Sequence, residues 1–263
     1  MAQRSNRPTE IDILRVTHGR FDACVLGTTP LILNRMSRKA MRELLQPKAK
    51  KNAAEKASTA KHDPIAEFRS SAYQDRDPNA PALIQHLSSA FKGAIAGAAL
   101  DLPGATKTQI GRLTWVVGER IHIFGTPKVF CAITRGADAN RTPDVRTRLI
   151  VPEWACRITV AFVTPLLKDV GVANLLASAG VTQGVGDWRT GKGKGTFGGF
   201  ELVNDDNPEW VRRMAIGRKD QEVAMANPVA YDEDTEELLA WWEREMKARG
   251  FAKTNGHAAE VTS

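Results

Sequence analysis

The chain is short of the residues that chemistry and cross-linking need. Its 263 residues hold only three cysteines, Cys24, Cys131 and Cys156, an odd number at wide spacing. All three lie in apolar runs. They read as buried free thiols rather than disulfide partners or zinc ligands, which fits a reducing compartment. The five histidines, His18, His62, His86, His122 and His257, are scattered, and none has a metal or triad spacing. No catalytic residue, metal or cofactor is therefore assigned. No apolar run reaches the ~18 residues of a membrane-spanning helix. Residues 1–9 are polar and lack the apolar segment of a signal peptide. The expectation is a cytoplasmic protein with no membrane partner.

What the chain does have is apolar residues enough for a core, at 42%, and an excess of cations. There are 37 Lys and Arg against 30 Asp and Glu, a net charge of +7. Such a balance fits a polyanionic partner without proving one. The excess is uneven: residues 35–76 carry 11 basic and 5 acidic side chains. The length fits one elaborated domain or two small ones.

Residues 184–200 combine seven glycines with Arg189, Lys192, Lys194, Trp188, Phe197 and Phe200. Cations attract phosphate and rings offer a face to a base. A plain turn would explain the glycines but has no need of three cations. The spacing is not that of a mononucleotide P-loop, since a strand-like run follows instead of a helix. Arg189, Lys192 and Lys194 are the best phosphate candidates, with loop amides as further donors. Trp188 divides evenly between stacking and packing, whereas Phe200 alternates with Leu202 and reads as core.

Arg35, Arg38, Lys39 and Arg42 recur at helical spacing and offer a second phosphate track, or simply a solvated helix face. Residues 48–61 are rich in Ala and Lys with almost no large apolar residue, so they form a solvated helix or a basic arm. Residues 134–148 read as a polar loop in which Arg141, Arg146 and Arg148 line the same groove; Lys92 is a further candidate.

Strands are predicted at 11–16 and 21–26 with a turn at 17–20, then at 114–117, 120–124, 128–133, 157–163 and 197–203. Helices are predicted at 81–100 from Leu83, Leu87, Phe91, Ile95 and Ala98, at 166–180 with Gly180 as its terminal glycine, and at 232–249. The last is acidic at its start and carries Trp241 and Trp242. The order of elements is a β-α-β-β-α-β ferredoxin-like pattern with insertions, an α+β fold.

Three stretches resemble the RAMP superfamily of CRISPR RNA-guided complexes, in particular its backbone subunits. They are Gly27-Thr28-Thr29-Pro30-Leu31-Ile32, the helix start Ser88-Ser89-Ala90-Phe91-Lys92-Gly93-Ala94, and the late glycine segment. The chain is also similar to phage-encoded proteins. The resemblance implies an RRM-like modified palm over residues 10–205 with a basic thumb or arm inserted at about 46–81. It leaves a C-terminal extension at 206–250 with the acidic Trp-Trp helix, and a disordered tail at 251–263. It further implies head-to-tail self-association along single-stranded DNA or RNA in a bacterial host. Some family members cleave RNA with an Asp soon after the first strand. Residues 30–41 hold no acidic residue, so that chemistry is not expected. A virion or shell assembly protein is the alternative class, and an RNA-processing nuclease a weaker one.

Overall fold

The computed structural model describes residues 13–36, 41, 44–45, 62–135, 143–192 and 195–249. Arg38, Lys39, Arg42, Arg141, Lys194, the arm at 48–61 and the tail at 251–263 lie outside them.

The first strand, β1 (Thr17–Gly27), is unbroken where a turn was expected at 17–20. It pairs antiparallel with β9 (Ala155–Thr164) from Thr17 opposite Thr164 to Leu26 opposite Ala155. Gly19 marks no turn. It lies opposite Phe162, whose ring occupies the space a Cβ would need, so the glycine makes room for a cross-strand aromatic.

Strands β10 (Phe200–Val203), β1, β9 and β5 (Thr114–Val116) make one four-stranded antiparallel sheet in that order. Helix α2 (Ser88–Ala98) precedes β5, and α4 (Asp169–Thr182) links β9 to β10. Taken as β1-α2-β5-β9-α4-β10, the strands stand fourth, first, third, second. This is the ferredoxin-like arrangement, and the sequence order anticipated it. The two helices pack on each other and on this palm sheet, burying Phe91, Ile95, Val172 and Leu176 against Val25, Ile158, Val160 and Phe200. Gly180 does not end α4. It lies inside the helix, where a Cβ would strike the Phe200 carbonyl, and lets helix and strand approach closely.

Residues 81–87, expected as the start of α2, are extended instead. β4 (Ile84–Leu87) joins β3 (Tyr73–Gln74) and β6 (Arg120–His122) in a small sheet. Ala82 to Gln85 are consecutively buried, which fits a strand covered on both faces, whereas Leu83 and Leu87 alone fall at helical spacing. Helix α3 (Lys107–Leu113) starts at a capping box in which Thr106 and Gln109 satisfy each other's backbone amides.

The supposed polar loop at 134–148 is largely a β-hairpin. β7 (Lys128–Arg135) and β8 (Pro143–Val151) pair in register, and β8 also carries β2 (Leu31–Leu33) on its other edge. Helix α1 (Pro64–Ser70), within the stretch at 46–81 expected to be an inserted arm, starts on Asp63 with Pro64 in its first turn. It takes over where β2 ends: the Glu67 carboxylate accepts the Thr147 amide and the Ser71 hydroxyl accepts that of Leu149.

The C-terminal residues are stitched to all three sheets. α5 (Pro208–Met214) places Trp210 on the back of the palm with Cys24, Leu26 and Ala155. α6 (Arg218–Ala226) buries Gln221, whose amide accepts from Leu83 and Ile84 and donates to the carbonyls of Ile123 and Gly125. Residues 229–231 run along β7, and α7 (Glu233–Ala248) follows, with buried Thr235 accepting the Cys131 amide. Trp242 is half-buried; Trp241 is exposed.

Candidate nucleic-acid interface

Alternation along the hairpin selects the site. Phe130 lies opposite Arg148 and Ala132 opposite Arg146, so these four side chains share one face, while Cys131 and Thr147 share the other. Ile32 of β2 extends the first face. Against it stands the glycine segment, and together Ile32, Phe130, Ala132, Thr134, Arg146, Arg148, Asp187 and Trp188 line a shallow cleft. Its enclosed space is only about 10 Å³, room for about one water. It is a shallow crease whose rim a ligand could touch, not a pocket that takes a base.

The glycine segment is held to the turn between β1 and β2. The Thr28 amide donates to the Gly199 carbonyl at 2.9 Å, and the Thr29 hydroxyl accepts the Gly199 amide at 2.8 Å. Gly198 donates to Pro30 at 2.8 Å and Asp187 to Ile32 at 2.9 Å. Two of the stretches that prompted the family resemblance are thus one hydrogen-bonded unit. Gly186, at φ 84°, sits where any Cβ would press on the Ile32 carbonyl. The loop amides expected as phosphate donors are mostly committed: those of Val185, Asp187, Gly191, Lys192, Phe197, Gly198 and Gly199 all bond within the protein. The glycines serve close packing of backbone on backbone, and the side chains are left to meet a ligand.

Trp188 holds φ 50°, a conformation uncommon for a residue with a side chain. Its carbonyl accepts the Phe197 amide, and its ring meets Phe130 edge-on at 5.8 Å and Phe197 at 6.2 Å. Tyr231, from the C-terminal segment, meets Phe130 at 5.7 Å. Trp188 therefore packs on one side while remaining half-exposed. Phe200 is core, as its alternation implied.

The charges are arranged around these rings. Arg148 is half-buried, and burial lowers its pKa from the ordinary arginine value. It donates to the Thr147 carbonyl at 3.1 Å and approaches Asp187 only loosely, at 4.0 Å. Asp187 accepts from Asn34 at 2.8 Å. Arg146 is more exposed and pairs with Asp144 at 2.9 Å. Arg189 donates to the Gly186 carbonyl at 3.0 Å, and Lys192 is exposed on a short 3-10 turn, Thr190–Lys192.

Of the candidates named from sequence, Arg146, Arg148 and Trp188 meet in the cleft, with Arg189 and Lys192 on the loop that forms its wall. Lys92 belongs to α2, whose main packing partners are α3, α4 and the strands β4 and β5, not the hairpin. Arg35 stands apart, over the Tyr73 ring at 4.8 Å. Sequence reasoning missed Phe130, Asp187 and Asn34. The alternation of Phe130, Ala132 and Thr134 against Arg146 and Arg148 was the available signal. Among the described residues, no group of three or more His, Cys, Asp or Glu is placed to hold a metal ion.

Fold and cleft together define an α+β palm of ferredoxin-like topology with a cation-and-ring face on an accessory sheet. No family model matches the chain, and no curated protein matches it. Among solved structures it is similar to a chain of "Cryo-EM structure of the Type III-B Cmr-beta bound to cognate target RNA". The match has a TM-score of 0.39 and 14% identity, and covers 71% of this chain and 59% of that one. A likeness so distant has no bearing on function.

Proposed function

We infer that the chain binds single-stranded nucleic acid and does not itself turn it over. The observation that carries this reading is the placement of Arg148 and Arg146 on the same hairpin face as Phe130, with Trp188 opposite. Guanidinium forks suit phosphate, and half-exposed rings accept a base without regard to sequence. Asp187 adds an acceptor for a base's exocyclic amine. The cleft is too small to take a base, so an unpaired strand would lie across its rim against these side chains. Copies assembled head to tail would extend the track, since a heterologous interface that does not close makes a filament. The chain-wide excess of cations supports a polyanionic partner. The three stretches that resemble RAMP backbone subunits favour the same class, acting in a bacterial cytoplasm on a phage's single-stranded DNA or on a guide RNA.

The test is fluorescence anisotropy with labelled single-stranded DNA, single-stranded RNA and duplex at two salt concentrations. Tight, salt-sensitive binding to single strands is expected. Trp188→Ala should weaken it by the ~1–3 kcal/mol of one stacked base, with thermal unfolding measured alongside to show that the fold survives. Absence of binding to any of the three points to the assembly protein instead, and product formation to a nuclease.

A further inference from the structure

A second cationic site lies on the small sheet, outside the cleft. Tyr73 on β3, Gln85 on β4 and His122 on β6 are cross-strand neighbours. The Arg35 guanidinium stands over the Tyr73 ring at 4.8 Å and that of Arg120 at 4.7 Å. The two cations are therefore no more than about 10 Å apart, near the ~8–10 Å reach of electrostatics at physiological salt. They repel each other, and among the described residues neither meets a carboxylate.

Asp75, beside this sheet, is already committed. Asp75 accepts from the Gln85 amide at 2.6 Å and from the Asp77 backbone at 3.0 Å, and it pairs with His122 at 2.8 Å. These bonds hold its carboxyl below the ordinary range, with the Asp77 amide the largest cause and His122 next. Arg120 makes one long contact, 3.5 Å, to the Gln85 side-chain oxygen. The Tyr73 ring fixes both guanidinium planes by cation–π contact and leaves their N–H edges free to turn outward.

We propose that Arg35 and Arg120, held by Tyr73, form a phosphate-binding subsite for the sugar–phosphate backbone of a single-stranded polynucleotide. A phosphodiester between the two edges relieves their repulsion and receives charge-assisted hydrogen bonds from both. Both arginines already contact the ring, so this subsite reads backbone and not base. It rests on the reading of the cleft for the identity of its ligand. The chain itself joins the two places: Asn34 bonds Asp187 in the cleft while the next residue, Arg35, turns to Tyr73.

The experiment uses the full chain and a labelled single strand long enough to run beyond the cleft, titrated across a salt series. Arg120→Gln should weaken binding roughly fivefold and reduce the salt slope by about 0.7, the share of one phosphate contact on a single strand. Tyr73→Leu should do the same by releasing both planes. Trp188→Ala should weaken binding with the slope kept. Unchanged affinity and slope in Arg120→Gln overturn the subsite and leave the cleft reading standing. If the wild type binds no single strand, the cleft reading falls and the subsite is decided with inorganic pyrophosphate alone. The Nε–Hε resonances of Arg35 and Arg120, assigned by substitution, then shift on titration if the subsite exists and stay fixed if it does not.

Discussion

Single side chains carry most of the electrostatic character of this molecule, and His86 is the sharpest case. Its Nε2 is shut off from solvent with no hydrogen-bond partner. Burial first, and the nearby Arg189 charge second, push its pKa down to about 4. A histidine depressed on folding is neutral in the native state and binds protons more readily when unfolded. Its contribution is therefore complete above the ordinary value of about 6.5 and is lost as pH falls through that value towards 4. The loss amounts to at most about 3 kcal/mol. Chemical denaturation between pH 7 and pH 4.5 should show a steeper decline for the wild type than for His86→Phe; equal slopes would assign the acid sensitivity elsewhere. Residue identities were well legible where burial was concerned. Phe200 and the thiols Cys24 and Cys156 are buried as their apolar neighbours implied. Partners were not legible: nothing in the sequence joins Arg35 to Tyr73, or Asp187 to Asn34, because those meetings are made by the tertiary fold.

At the scale of elements, the C-terminal helices act as fasteners. Gln221 of α6 uses both halves of its amide on four backbone groups of buried chain. Gln221→Leu keeps the volume but leaves those groups unpaired, at ~1–3 kcal/mol for each that water cannot reach. A drop in unfolding free energy of more than about 2 kcal/mol is expected, and a change under about 0.5 kcal/mol, typical of a surface site, would show that the groups find other partners. The start of α7 poses a functional question. Asp232 caps it, Glu233, Asp234 and Glu236 fill its first turn, and the preceding Tyr231 touches Phe130 of the cleft. The prediction is that these carboxylates compete with a bound strand. Deleting the helix would confuse the issue, because buried Thr235 also holds β7. Neutralising Glu233, Asp234 and Glu236 together to amides should tighten single-strand binding severalfold at low salt; no change would make the helix structural only. Elements were legible from sequence where a period or a cap spoke for them, as in α2, β9 and α7. They were hidden where strands were short or lay between polar residues. β7 was read as a strand, but the start of β8 was taken for a loop because its arginines masked a period of two. β4 was taken for helix because Leu83 and Leu87 fall at helical spacing with Phe91 and Ile95 of α2.

For the whole molecule, the ferredoxin-like order could be read from the sequence because palm strands and helices alternate in chain order. The accessory sheets could not, since β2 with the β7–β8 hairpin, and β3 and β4 with β6, are pairings between distant segments. The proposed ligand face is built on an accessory sheet and a glycine loop, not on the palm itself. A photo-crosslinking experiment tests that placement most directly. A single-stranded oligonucleotide carrying a photoreactive base is bound to the full chain, irradiated, and the adducts are located by peptide mass mapping. Adducts on Trp188, Phe130 or their immediate neighbours are the predicted result. Efficient adducts confined to the palm, with the cleft peptides unmodified, would contradict it.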